Sequence, residues 1–335
     1  MRSFKIYFII NSFFCFCLQS CQSQPPTQSK TLALIATIPL PGVSGRIDHF
    51  AFDRISQRIF VAALGNNSVE VVDLKTNKVI HSIQNLNEPQ GIAFIPENNT
   101  ILVANGNNGV CNIFNASSFQ KITSIQLPGD ADNVRYDSII KNIYVGYGSG
   151  GIAIIDAITF KQTGDIKLEG HPESFQLEMA NKKIYVNVPS KQQVEIIDLE
   201  KKQVTDRWKV TEAKSNFPMS LDVINHRLFI GCRHPAKLLV LDTYTGKLIT
   251  TVDTDNDVDD IFYDQKTRNI YLSCGGGYIN IIKQLSATSY QLTGKVTSSS
   301  GARTSLLIPH LNRLIVASPE SFTNAAELLI YEVNH

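Results

Sequence analysis

The chain has 335 residues, 43% apolar, 18% charged and 9% aromatic, with a formal net charge of +1. Apolar content of this order excludes wholesale disorder, and near-balanced charge argues against a nucleic-acid binder relying on a broad basic field. Six cysteines are too few for a disulfide scaffold of this size, while length alone allows several domains or one large all-β unit.

The chain begins MRSFKIYFIINSFFCFCLQSC. Arg2 and Lys5 give a positive start, and Ile6 to Leu18 is apolar apart from Asn11 and Ser12. Such a run is too short to span a bilayer as a stable helix but suits the apolar region of an export signal. It ends in Leu18-Gln19-Ser20-Cys21, which resembles the bacterial lipobox. That resemblance implies a signal over residues 1–20, a lipid on Cys21, and membrane attachment through that lipid only. Gln22 stands where an inner-membrane retention Asp would be, which favours the outer membrane. The alternative is an ordinary cleaved signal with an incidental cysteine. Residues 21–30 are polar and Pro-containing and read as a tether. Without Arg2 and Lys5 the mature chain carries 29 basic against 30 acidic residues, and it keeps Cys21, Cys111, Cys232 and Cys274.

Beyond the tether one pattern recurs. Short strands RIFV, TILV, NIYV, KIYV, RLFI, NIYL and RLIV begin at Arg58, Thr100, Asn142, Lys183, Arg227, Asn269 and Arg313, spaced by 41 to 44 residues. Each follows an apolar stretch and a polar turn, and precedes a Gly/Asn-rich turn, a third strand such as VEVVDL, and a fourth, more polar strand. Four strands per unit, seven times over, predict an all-β, seven-bladed β-propeller of four-stranded blades filling residues 31–335 as a single domain. The last unit stops at its third strand, so the N-terminal strand over residues 32–40 is expected to complete it and close the ring.

The VEVVDLKTNKVI and VEIIDLEKKQV runs, with the RIFV-type strands before them, resemble the YVTN-type (YncE-like) β-propeller repeat proteins. GRIDHFAFD from Gly45, HPESFQLE from His171 and DVDDIFYD from Asp257 point to their exported bacterial lipoprotein branch. The resemblance implies fold and a cell-envelope location, periplasmic or outer-membrane, far more than it implies chemistry.

Stacking the repeats separates scaffold from candidate site. The columns through Asp73 and through Asp53 repeat Asp, with Asn115 and Glu178 as the departures, and suit turn chemistry. The segments entering the innermost strands do not repeat. One column reads Asp48, Gln90, Asp132, Glu173, Phe217, Asp259, Arg303; two places earlier it reads Arg46, Glu88, Asp130, His171, Ser215, Asp257, Gly301. One place later it includes His49, Asn133 and Asp260. In a propeller these loops meet at one mouth of the channel, where converging carboxylates need a cation, hydrogen bonds or protonation. Arg46 and Arg303, in neighbouring blades of a closed ring, are expected to form a basic corner opposite the acids. The predicted ligand-binding set is Arg46, Asp48, His49, Glu88, Gln90, Asp132, Asn133, His171, Glu173, Asp257, Asp259, Asp260 and Arg303.

The sequence holds no haem, zinc or phosphate-loop motif and no nucleophile elbow. Cys232 and Cys274 are expected as buried thiols, the Gly275-Gly276-Gly277 run as a plain turn, and Trp208 on an outer strand. The leading expectation is a monomeric exported propeller binding a small molecule or an envelope protein at the mouth. One alternative is a metal-dependent lactonase- or lyase-type enzyme with a divalent cation (Ca or Mg) on Asp48, Asp132, Glu173 and Asp259. Another is an envelope-complex scaffold.

Overall fold

In the computed structural model the described residues are Met1 and 31–334, and they build seven four-stranded antiparallel sheets in a ring. The proposed signal, the tether and Cys21 lie outside the described residues, Met1 apart. Blade 1 is typical: strands Phe50–Asp53, Arg58–Ala63, Ser68–Asp73 and Lys78–Ile83 run from the channel outward. The seventh blade is completed by Leu32–Pro39, which pairs with Glu327–Val333 in a register from Leu32 with Val333 to Pro39 with Glu327. The expected closure is therefore present, and the edge of the last blade is covered.

The second and third strands are buried on both faces, so they read as unbroken apolar runs rather than alternating ones. Their period of two divides each strand between two seams. Ile59 and Val61 pack against blade 7, whereas Phe60 and Ala62 pack against blade 2. Seven apolar clusters result among the described residues, one at each blade junction. Cys111, Cys232 and Cys274 are buried free thiols within these seams, pushed up to about 12 by burial. Trp208 lies on an outer strand, its indole tilted against Tyr185 at 5.6 Å. No helix among the described residues is long and apolar enough to cross a membrane.

The two repeating carboxylate columns are scaffold. Asp73 Oδ1 accepts the N–H groups of Lys75 and Thr76, Asp156 those of Ile158 and Thr159, and Asp198 those of Glu200 and Lys201. Asp53 and Asp137 do the same at the turn after the first strand. Each such side chain replaces backbone partners that a tight turn leaves open.

Candidate functional site

The segments entering the innermost strands meet on the channel axis. Arg46, Glu88, Gln90, Asp132, His171, Glu173, Asp259 and Arg303 line one cavity of about 390 Å³, together with Asp130, Phe217 and Arg233. Asp257 joins them through both of its oxygens, at 3.0 and 3.1 Å from Arg303 Nη1. Asp48 and Asn133 are buried one step deeper, and His49 and Asp260 face an inner cavity. All thirteen expected residues thus lie at the axis, in two tiers.

The charges are sorted by blade. On the side of blades 5 to 7, Arg233 Nη2 donates to Asp259 at 2.6 Å and Arg303 Nε lies 3.1 Å from the other Asp259 oxygen. Asp257 bridges the same two guanidinium groups, at 3.4 Å from Arg233 and 3.0 Å from Arg303. Two arginines and two aspartates therefore neutralise one another, and Arg233 also covers the Phe217 ring at 4.1 Å. Burial, with Asp48 adding to it, still lifts Asp259 to about 6 against the two arginines. Arg46 is held by Asp48 at 2.7 Å. The expected basic corner is not formed, because each arginine is tied to a carboxylate rather than to the other arginine's surroundings.

Blades 2 to 4 form the acidic half. His171 Nδ1 lies 2.6 Å from the Gly148 carbonyl and 3.6 Å from Asp130, and Nε2 lies 3.8 Å from Asp132. Burial disfavours the charged ring, yet these partners, Asp132 foremost, raise it to about 9. One cation therefore faces several acids. Asp132 is only 6% exposed and its Oδ1 has no hydrogen-bond partner. Burial works against its charge, but His171, His49 and Arg46 hold its carboxyl below the usual range. Glu173 forms no side-chain hydrogen bond or ion pair among the described residues. Burial first, and then the charges of Asp132 and Asp259, push it up to about 8.

Below, His49 Nε2 lies 3.6 Å from Asp48 and 3.1 Å from Asn133 Nδ2, and Nδ1 lies 3.7 Å from Asp260. Burial opposes its charge, but Asp48 and Asp260 raise it to about 10, so this tier sets a partly buried imidazole between two aspartates. Asp48 itself is raised, by burial chiefly.

The backbone under the mouth is left-handed at Glu88, Asp130, Ser215 and Asp257, with φ of 55°, 34°, 58° and 57°. Glycine would be the relaxed choice there, as at Gly301. Holding Glu88 in that region costs on the order of 1 kcal/mol. The turn after the second strand of blade 6 is cut to fit one of these side chains: a Cβ at Gly275 would lie 2.1 Å from Asp257 Oδ2, and its N–H donates to the Asp257 carbonyl at 2.8 Å. Gly275 thus sits in the turn expected of the glycine run, packed closely against Asp257.

Residues 61–227 match the family model described as glutamine cyclotransferase. That span is just under half of the chain, running from the second strand of blade 1 to the second strand of blade 5. It carries the acidic half of the mouth (Glu88, Gln90, Asp130, Asp132, His171, Glu173) and stops short of Arg233, Asp257, Asp259 and Arg303. No curated protein sequence matches the chain. Among solved structures, a chain of the mitotic checkpoint complex is similar with a TM-score of 0.78 and 14% identity, over 97% of this chain and 99% of that one. A chain of Kuenenia stuttgartiensis hydrazine synthase gives 0.75 and 15%, over 88% and 99%. Likeness at that identity concerns the seven-bladed fold alone.

The four carboxylates expected to hold a divalent cation do not assemble. Asp48 faces Arg46, Asp259 faces two arginines, Asp132 faces His171, and Glu173 stands apart. Among the described residues no group of three or more His, Cys, Asp or Glu side chains is gathered as a metal site. This donor set does not fit Ca²⁺ or Mg²⁺, which need several converging free oxygens. Sequence columns missed Arg233, because it reaches the mouth from the end of the second strand Arg227–His234. Its signal was RLFIGCRHPAK, where the usual Gly/Asn turn is absent.

Proposed function

We propose that the protein is an exported propeller, lipid-anchored at Cys21 like its YVTN-type counterparts, that captures a small amine-bearing ligand at the acidic half of its channel mouth. One observation carries this reading: two carboxylates of one column in neighbouring blades, Asp132 with His171 at 3.8 Å and Glu173 with no side-chain partner among the described residues, line one cavity. A ligand ammonium in that cavity adds a cation where His171 faces several acids. The same cation offsets the mutual repulsion that lifts Glu173. On the other side, Asp257, Asp259, Arg233 and Arg303 form a saturated wall that shapes the cavity without offering a free charge.

The family match over blades 1 to 4 favours a second reading of the same site. The captured amine would be that of an N-terminal glutamine, whose nitrogen attacks its own side-chain amide carbon, forming a C–N bond and releasing ammonia. Glu173 near 8 and His171 near 9 are suited to moving the protons of that exchange.

The test is a panel of amino-acid amides, amino sugars, diamines and a glutaminyl dipeptide against the purified protein, with binding read by calorimetry and ammonia followed for the dipeptide. Asp132→Asn and Glu173→Gln should each weaken the best ligand by about tenfold or more while leaving the fold intact. Ammonia release that is lost in Glu173→Gln supports the cyclising reading. Affinity unchanged in both variants contradicts the site.

A further inference from the structure

The channel holds a second compartment that the mouth does not use. Along the innermost strands, depth changes within one or two residues: Asp132, Glu173 and Asp259 line the mouth, whereas Val134, Ser174 and Asp260 line an inner chamber of about 410 Å³. The buried Asp48 and Asn133 lie between the two tiers. The chamber runs toward the opposite face of the ring, where Phe52, Phe94, Tyr136 and Phe262 form its wall near the ends of their strands.

Arg135 stands in that wall, apart from the His49–Asp260 pair. Arg135 Nη1 donates to the Val134 carbonyl at 2.9 Å, Nη2 lies 3.4 Å from Ser174 Oγ, and the guanidinium sits 5.4 Å from the Phe175 ring. Among the described residues no carboxylate reaches it within ion-pair distance, unlike Arg46, Arg233 and Arg303. Asp260 shares the chamber but is committed elsewhere, accepting the Ser305 N–H at 2.8 Å and facing His49 at 3.7 Å. Burial draws Arg135 below its ordinary value, against the longer-range pull of Asp260 and Asp132. A guanidinium keeps its charge in such a setting and presents a planar donor edge that matches a carboxylate. A cation without an internal counter-ion, in a cavity of ligand size with aromatic walls, is the arrangement that recognises an anion carrying an apolar body.

We propose that the inner chamber is a second ligand site, taking a small organic carboxylate whose charge rests on Arg135 and Ser174 and whose apolar body packs on Phe52, Phe94 and Phe262. This site is independent of the amine site proposed at the mouth. Its occupant enters from the opposite face and meets one guanidinium, since His49 in the same chamber already faces Asp48 and Asp260, so a monoanion fits better than inorganic phosphate, which lacks the body the walls would cover.

Calorimetric titration of the purified protein with phenylacetate and hexanoate tests it, with phenylacetamide as the neutral isostere. Saturable binding of at least one carboxylate is expected, with phenylacetamide weaker by about tenfold or more. Arg135→Gln should lose about tenfold or more, Arg135→Lys less, and Glu173→Gln at the mouth nothing. If Arg135→Gln does not fold, the carboxylate–amide comparison and Arg135→Lys carry the result. No saturable binding of either carboxylate, equal binding of the amide, or a loss that follows Glu173→Gln instead of Arg135 overturns the proposal.

Discussion

Glu173 is a carboxyl with neither an arginine nor a donor to hold it, in a ring where most other acids have one or the other. Its proton is the measure of that imbalance. In the unfolded chain it titrates near 4.5, and in the folded protein near 8. Between those values the native state binds more protons than the unfolded state, so stability is full at the acid end and falls as pH rises through 8. His171 and His49, raised from 6.5 to about 9 and about 10, act in the same direction: their contribution is present below 6.5 and is lost as pH climbs through those values. Asp132 acts oppositely, its contribution present above the ordinary carboxylate range and lost on acidification. Glu173→Gln should therefore leave Tm nearly unchanged at pH 4, where both states are protonated, and raise it by about 2 °C or more at pH 9. Thermal unfolding at the two values checks this, and an equal shift at both contradicts it. The left-handed backbone at Glu88 and Asp257 was not legible beforehand, because a sequence with Glu and Asp at a position that suits glycine looks like ordinary polar loop.

Strands and turns account for what could be read early and what could not. The second strands announce themselves because both faces are buried, and the carboxylate columns because every blade needs the same turn. Asp156 shows how separable such scaffold is from the site: its Oδ1 accepts the N–H groups of Ile158 and Thr159 and the Thr159 hydroxyl. Asp156→Ala should cost about 1 kcal/mol in denaturant unfolding and leave mouth binding unchanged; altered affinity would count against the division of columns. The mouth columns were legible for a related reason, since blades of nearly equal length keep the entering segments in phase. Arg233 and Arg135 escaped that logic. Arg233 enters from a second strand, and Arg135 lies inside an innermost strand whose neighbours are apolar, so neither falls in a column of converging loops. The pairing of Arg303 with blade 6 rather than with Arg46 was equally hidden, because a column gives position along the axis and not which way a long side chain leans.

The closed ring then fixes where each end of the channel faces. Leu32 pairs with Val333, the end of a third strand, so the chain comes in at the face opposite the mouth and leaves toward it at Pro39. On the proposed anchor at Cys21, the tether joins the propeller at that far face. Near-neutral total charge conceals this arrangement: a saturated wall on blades 5 to 7, an under-compensated acidic half on blades 2 to 4, and the Arg135 guanidinium deeper in without a carboxylate at ion-pair distance among the described residues. The acidic half is also what the glutamine cyclotransferase model covers. The most direct measurement is the proton balance of amine binding at pH 7, from calorimetry in two buffers of different ionisation enthalpy. Seating an ammonium beside Glu173 should lower its pKa and release up to about one proton per ligand, and Glu173→Gln should abolish the release. An amine that binds with no proton released, or with the same release in Glu173→Gln, contradicts the assignment of the mouth as the ligand site.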